Sequence, residues 1–250
     1  MTHSRVLVGF LSVMFGVAMF ALLQGGVSLG VVSQYIVPSP SDMLFAIPEL
    51  FVEEGLVEKF ILTFSTTFGA TLLAVVIGVP FGWLLYARPA FGRAYESWLG
   101  TAFSAPLILL YPLFMVIFGR GTQTLIVMGT IAGVIPIVLG TLQGLRGVPK
   151  VYINVARSLK MTEWQTSTKV LLPAAIPTIF TGIRLGLIYT LIYVVAIEFL
   201  VSIGGLGYLI SDLHSRYDIP GMYGAVIFVV LVSVLFFAAT ERVEQWLKST

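Results

Sequence analysis

RSLKMTEWQTSTKVLLPAAIP, residues 157–177, is a polar, helix-forming stretch set between two long apolar runs. The first run ends near Leu142 and the second reaches Val201. The rest of the chain resembles those runs, not the stretch. Of 250 residues, 58% are hydrophobic and 10% are charged, and mean hydropathy is +0.99. Soluble domains carry about 25% charged residues, and a chain of this size cannot hide so much apolar surface from water. Part of the solvent is therefore lipid, and the chain is an integral membrane protein. Its net charge of +2 gives no footprint for nucleic acid. It has no cysteine, which excludes disulfides, thiolate metal sites and cysteine nucleophiles.

A membrane-spanning helix needs about 20 mostly apolar residues. Six segments meet that expectation: 6–23, 60–86, 102–118, 124–142, 176–201 and 222–239. The fold expected is all-α, one transmembrane domain over residues 1–250 with six helices and a polar loop at 143–175. Pro106 and Pro112 predict a kink or break in the third segment. GRGTQ (119–123) leaves room only for a tight hairpin before the fourth. The first segment has the length of a signal peptide, but Arg5 is its sole basic flank and QGGVSLG after it offers no A-x-A site. It is read as a retained helix.

Lys and Arg gather on the cytoplasmic side of membrane helices. With the N-terminus inside, that side holds Arg5, Arg88, Arg93, Arg146, Lys150, Arg157, Lys160, Lys169, Arg242 and Lys248. The outside holds Lys59, Arg120 and Arg216. Both termini are therefore expected in the cytoplasm, and so is the opening stretch.

Within and just before that stretch, Val151, Val155 and Leu159 recur at i, i+4 and i+8, one side of a helix. Arg157 and Lys160 lie off this stripe. Thr162-Glu-Trp-Gln165 fits a capping box, so a second helix should start near Thr162. Pro173 and Pro177 limit its continuation into the fifth span. The pattern is helix, turn, helix, and it leaves two readings open. The apolar stripe lies on the inner leaflet as an interfacial helix, or it enters a groove on a soluble partner. Trp164 fits a brace against such a partner or an anchor in the lipid interface.

The spacing also resembles the signature loop of inner-membrane permeases of binding-protein-dependent ABC transporters. That signature runs EAA, three residues, Gly, nine residues, Ile, one residue, Leu-Pro. Here it reads Asn154-Val155-Ala156, RSL, Lys160, nine residues, Val170, Leu171, Leu172-Pro173. Two landmarks differ: Asn154 stands for Glu and Lys160 for Gly. A left-handed backbone at Lys160 would cost about 1–2 kcal/mol. VPSPSDM (37–43), GVPFGWLL (78–85), LYPLFMVIFGRG (110–121) and SIGGLGYLISD (202–212) resemble the nitrate, sulfonate and taurine branch of these permeases.

The resemblance implies a type I importer permease of the bacterial inner membrane. Two copies, here expected to be a homodimer, form the pathway. Each docks a cytoplasmic ATPase subunit, and a soluble solute-binding protein delivers the solute from outside. The docking, or coupling, helix corresponds to residues 152–160. Coupling is assigned to Val151, Tyr152, Asn154, Val155, Ala156, Arg157, Ser158, Leu159, Lys160 and Trp164. The branch suggests a sulfonate, taurine, nitrate or a related small organic solute. The stripe then has a groove to enter, and the docking reading becomes the favoured one.

No G-x-x-x-x-G-K-[ST] occurs, so the chain cannot make a P-loop. ATP and Mg would be bound by the partner, with no cofactor in this chain. His3 and His214 belong to no H-E-x-x-H, and no recognisable His–acid pair accompanies the Ser and Thr residues. Glu198 is the only acid within the six expected spans. It fits either a pathway residue or a structural hydrogen-bond partner near the helix end. Arg184 fits snorkelling to the inner interface or passage of an anion. Tyr189 and Tyr193, at i and i+4, fit pathway lining or an ordinary helix interface. Gly204, Gly205 and Gly207 interrupt the chain after the fifth span and by resemblance form part of an outer gate, against a plain extracellular loop. Two rivals need no ATPase: a secondary transporter or channel, for which inverted repeats are not evident, and a membrane scaffold.

Overall fold

A computed structural model describes the backbone of residues 2–249 and the side chains of Leu11 and of residues 14–247. Those residues form helices and turns only. In chain order the helices are α1 (Thr2–Ser28), α2 (Pro40–Val52), α3 (Leu56–Ala87), α4 (Pro89–Ser104), α5 (Tyr111–Phe118), α6 (Thr122–Arg146), α7 (Lys150–Ser158), α8 (Glu163–Thr166), α9 (Leu172–Val201), α10 (Gly205–Ser215) and α11 (Ile219–Ser249). A 3-10 turn at Leu107–Leu110 precedes α5, and a π turn at Ser167–Leu171 joins α8 to α9.

Four runs are long and apolar enough to cross a bilayer: Leu56–Ala87, Thr122–Arg146, the stretch Glu163–Ser215 that contains α9, and Ile219–Leu247. A fifth is added if Pro89–Ser104 and Leu107–Phe118 count as one broken span, for they meet at 81°. The third segment, expected at 102–118, is therefore not one straight helix. Pro106 sits at the break, where it cannot donate a helical N–H. Pro112 does no such damage, because it occupies the first turn of α5, where no donor is needed. In α1, the described apolar part is the shorter Met14–Ser28.

α6 forms the centre, with α3 and α9 against it. Association in lipid depends on close packing, so interfaces favour small residues. α6 presents Gly129, Gly133, Gly140 and Gly144, and α9 presents Gly182 and Gly186. A Cβ on Gly182 would lie 2.9 Å from the Gly140 Cα, and one on Gly186 would lie 2.7 Å from the Gly133 carbonyl oxygen. The backbones touch there, and no side chain fits between them. α3 turns Thr63, Thr66, Thr67, Ala70, Thr71 and Ala74 inward, all buried. Thr130 Oγ1 of α6 donates to the Ala70 carbonyl at 3.2 Å.

Three apolar clusters hold the periphery. At the end expected to face outward Leu50, Leu56, Leu206, Leu209, Leu213 and Ala225 tie α2, α3, α10 and α11 together. At the end expected to be the inner one Leu145, Val148, Leu171, Ala175 and Ile179 pack with Trp83, Tyr86 and Ile153. Leu125, Met128, Ile197 and Val201 hold the broken α4–α5 pair through Ile108, Tyr111 and Phe114. α2 was not expected as a helix. Its start is written in the sequence, with Ser39 as N-cap accepting the Asp42 N–H at 3.2 Å and Pro40 in the first turn.

Candidate functional site

The polar stretch forms a stiff double helix-turn. α7 turns Ala156 inward, 1% exposed, and lays Ile153 on the inner cluster. Its other side carries Val151, Tyr152, Val155 and Leu159, each at least half exposed. Trp164, in the next turn, is 69% exposed. Asn154, Arg157, Ser158 and Lys160 are also exposed, and Ser158 Oγ donates back to the Asn154 carbonyl at 3.0 Å. Three open apolar side chains on a nine-residue helix and a fourth, Leu159, at its C-cap, anchored from behind, make a surface that needs a cover.

α7 ends in a Schellman motif. The Met161 N–H donates to the Ala156 carbonyl at 3.1 Å and the Lys160 N–H to the Arg157 carbonyl at 2.9 Å. This motif needs a left-handed residue, and Lys160 supplies it with φ 53°. The turn that glycine would favour is kept with lysine in its place. The capping box follows: Thr162 Oγ1 accepts the Gln165 N–H at 3.2 Å, and Gln165 Oε1 accepts the Thr162 N–H at 2.9 Å. Pro173 and Pro177 do not stop the helix that begins there. The π turn at Ser167–Leu171 absorbs the change in hydrogen bonding ahead of Pro173, which sits in the first turn of α9. One continuous helical path therefore runs from Glu163 to Val201.

The far end of that path, expected to be the outer one, carries Glu198, 0% exposed. Thr63 Oγ1 of α3 lies 2.9 and 3.0 Å from the two carboxylate oxygens and donates to them. The Gly207 N–H donates to Oε2 at 3.0 Å, and the Leu206 N–H donates to Thr63 Oγ1 at 2.8 Å. Gly207 and Leu206 lie in the first turn of α10, so an acid accepts where helix donors lack partners. Glu198 thus joins α3, α9 and α10 at one point. The three glycines belong to it. Gly204 and Gly205 take φ of 118° and 84°, and a side chain on Gly205 or Gly207 would run into Glu198.

Arg184 is ion-paired to α11. Its guanidinium meets Glu244 at 2.9 Å and Glu241 at 3.2 Å, and Thr181 Oγ1 donates to Glu244 Oε1 at 2.7 Å. The sixth span, expected to end at 239, continues as α11 and brings both acids to α9. Arg120 caps the far end of α9 by donating to the Val201 carbonyl through Nε at 2.9 Å and an η nitrogen at 2.6 Å. Outside the membrane, a hydrogen bond to Glu54 raises the Arg216 pKa above its usual value.

Tyr189 and Tyr193 are half-buried on the side of α9 toward α4, where Tyr189 meets Phe103 edge-on at 4.6 Å. Thr190, beside them, is turned into α6 and donates to the Gly129 carbonyl at 3.1 Å. On another side of α9, a groove of about 540 Å³ opens toward α10 and α11. Ser233 is its one polar side chain, which gives a polar solute little to bind.

Residues 78–249 match the family described as binding-protein-dependent transport system inner membrane component. The chain is 29% identical to the bicarbonate transport system permease protein of Synechococcus elongatus, over 78% of this chain and 71% of that one. It is 28% identical to a putative aliphatic sulfonates transport permease of Bacillus subtilis, over 83% and 75%. Among solved structures, an inward-facing MetNI methionine ABC transporter chain is similar, with TM-score 0.67, 27% identity, and coverage of 77% of this chain and 96% of that one.

Proposed function

The chain belongs to the binding-protein-dependent transport system inner membrane component family, and from that premise we propose how it couples and what it carries. It is the permease subunit of an ABC importer for a small solute. Six segments cross the membrane: α1, α3, the bent α4–α5 pair, α6, α9 and α11, with both termini in the cytoplasm. A cytoplasmic ATPase subunit binds ATP and Mg and seats α7 in a groove. A solute-binding protein docks on the outer side, and a second copy of the chain completes the pathway. The bicarbonate and sulfonate relatives point to a small oxyanion or sulfonate as the solute.

The observation that carries this reading is the open apolar stripe Val151, Tyr152, Val155 and Leu159 on a helix pinned from behind. The same inner cluster contains Leu171, Ala175 and Ile179, so displacement of α7 loads the path from Glu163 to Val201. At 1.5 Å per residue that path is about 58 Å long and ends at the Glu198 junction with α10. ATP-driven closure of two ATPase subunits is thereby passed to the outer glycine turn. The test is co-purification of the tagged chain with the ATPase encoded beside it. The native chain should retain the ATPase, and Leu159→Asp, which sets a charge in the stripe, should lose it. A folded native chain that brings down no ATPase would leave α7 as an interfacial helix and remove the coupling.

A further inference from the structure

We propose that the inner end of the chain holds one anionic phospholipid, head group first, between α3 and the cytoplasmic loop. A cavity of about 980 Å³ lies there, lined by Trp83, Tyr86, Arg88, Arg157, Glu163 and Trp164 among others. Among the described residues, no carboxylate forms an ion pair with Arg88 or Arg157. Glu163 is the single acid in the lining, so the two guanidiniums leave the cavity net positive. Guanidinium groups match phosphate oxygens with paired donors.

A second, narrower space of about 220 Å³ shares Trp83, Trp164 and Ser167 with the first. Val79, Pro80, Thr168 and Leu172 complete it, and its lining is almost wholly apolar. From Ala87 back to Val79 is about 12 Å of helix, so this space runs from the membrane surface into the acyl region. A positive mouth, two tryptophans at the rim and an apolar slot behind have the layout of a phospholipid. Ile153 and Arg157 lie on the opposite side of α7 from the stripe, at 100° per residue, so the lipid takes the side away from the stripe, and Arg157 and Trp164, grouped with coupling by the resemblance, line its cavity. The proposal needs the chain's place in the bilayer but not ATPase docking, and either can fail alone.

The test is native mass spectrometry of the delipidated full chain, titrated with phosphatidylglycerol, phosphatidylcholine or inorganic phosphate. One phosphatidylglycerol should bind ahead of phosphatidylcholine. Arg88→Gln should weaken it about tenfold, the loss expected for a charge-assisted hydrogen bond. Thr168→Trp, which fills the slot, should weaken phosphatidylglycerol and leave phosphate unchanged. Equal retention of phosphatidylglycerol by the native chain and both variants would overturn the proposal, as would equal binding of phosphatidylcholine. Phosphate that binds as tightly as the lipid would also overturn it, in favour of a free-anion site.

Discussion

Glu198→Ala separates an anchoring carboxylate from one that touches the solute. The substitution leaves the Gly207 N–H, now 3.0 Å from Oε2, without an acceptor. A buried unpaired donor costs about 1–3 kcal/mol. The Thr63 hydroxyl suffers less, because the Lys59 carbonyl stands 3.1 Å away and can take its proton. The volume of the lost carboxylate adds a cavity term of about 1 kcal/mol. Together these come to about 3 kcal/mol, and at 2–4 °C per kcal/mol the Tm should fall by roughly 6–12 °C. Glu198→Gln keeps an acceptor for Gly207, and its NH2 can donate to the second lone pair of the Thr63 hydroxyl at the cost of turning that hydroxyl's proton to the Lys59 carbonyl. Its cost should be about 1 kcal/mol. The assay is thermal unfolding of the purified chain, followed by tryptophan fluorescence, beside uptake per folded molecule. A Tm for Glu198→Ala within about 1 °C of the native value, with uptake abolished, would refute the anchoring role and return Glu198 to the pathway.

Lys160→Gly should stabilise the loop by about 1 kcal/mol, because glycine takes φ 53° without steric cost; a Tm that rises by roughly 2–4 °C would show it. Gly186→Val should prevent folded protein from accumulating, since even its Cβ would sit 2.7 Å from the Gly133 carbonyl oxygen; monodisperse elution at the native yield would contradict the crossing. Arg184→Gln should cost about 2 kcal/mol by removing one ion-pair partner of Glu244, whose side chain is 7% exposed. Adding Glu244→Gln should recover part of that loss in a double-mutant cycle, whereas strict additivity would mean the pair does not interact.

Four of the expected segments overlap helices long and apolar enough to cross a bilayer, and the helical class was legible in apolar run length alone. So were the start of α8 at Thr162 and the two-sided character of α7, because capping and periodicity are local. The first half of the broken span was not. α4 carries Arg93 and Glu96, and polar residues hid it from a search for apolar runs. Glu198 stayed ambiguous because its side-chain partner is remote in the chain: Thr63 is 135 positions away, and the nearer Gly207 offers only a backbone N–H that no side-chain pattern announces. The ion pairs of Arg184 were hidden for a related reason. Its acids lie at Glu241 and Glu244, past the end of the apolar run, and only the packing of α11 on α9 brings them close. The left-handed turn at Lys160 shows the reverse case. Local propensity disfavours it, so lysine in the glycine position left the turn open in the sequence, yet the Schellman bonds and the capping box hold that conformation.

Under the proposed coupling, the permease should move its solute only when an ATPase docked on α7 turns over. The most direct measurement is uptake of radiolabelled bicarbonate, taurine or nitrate into proteoliposomes that hold the chain, its ATPase and the solute-binding protein, with and without enclosed ATP. Uptake of one of these solutes that requires ATP, and that Leu159→Asp abolishes in a chain with native Tm, is the predicted result. Uptake that proceeds equally without ATP, or that survives Leu159→Asp undiminished, would contradict coupling through this helix.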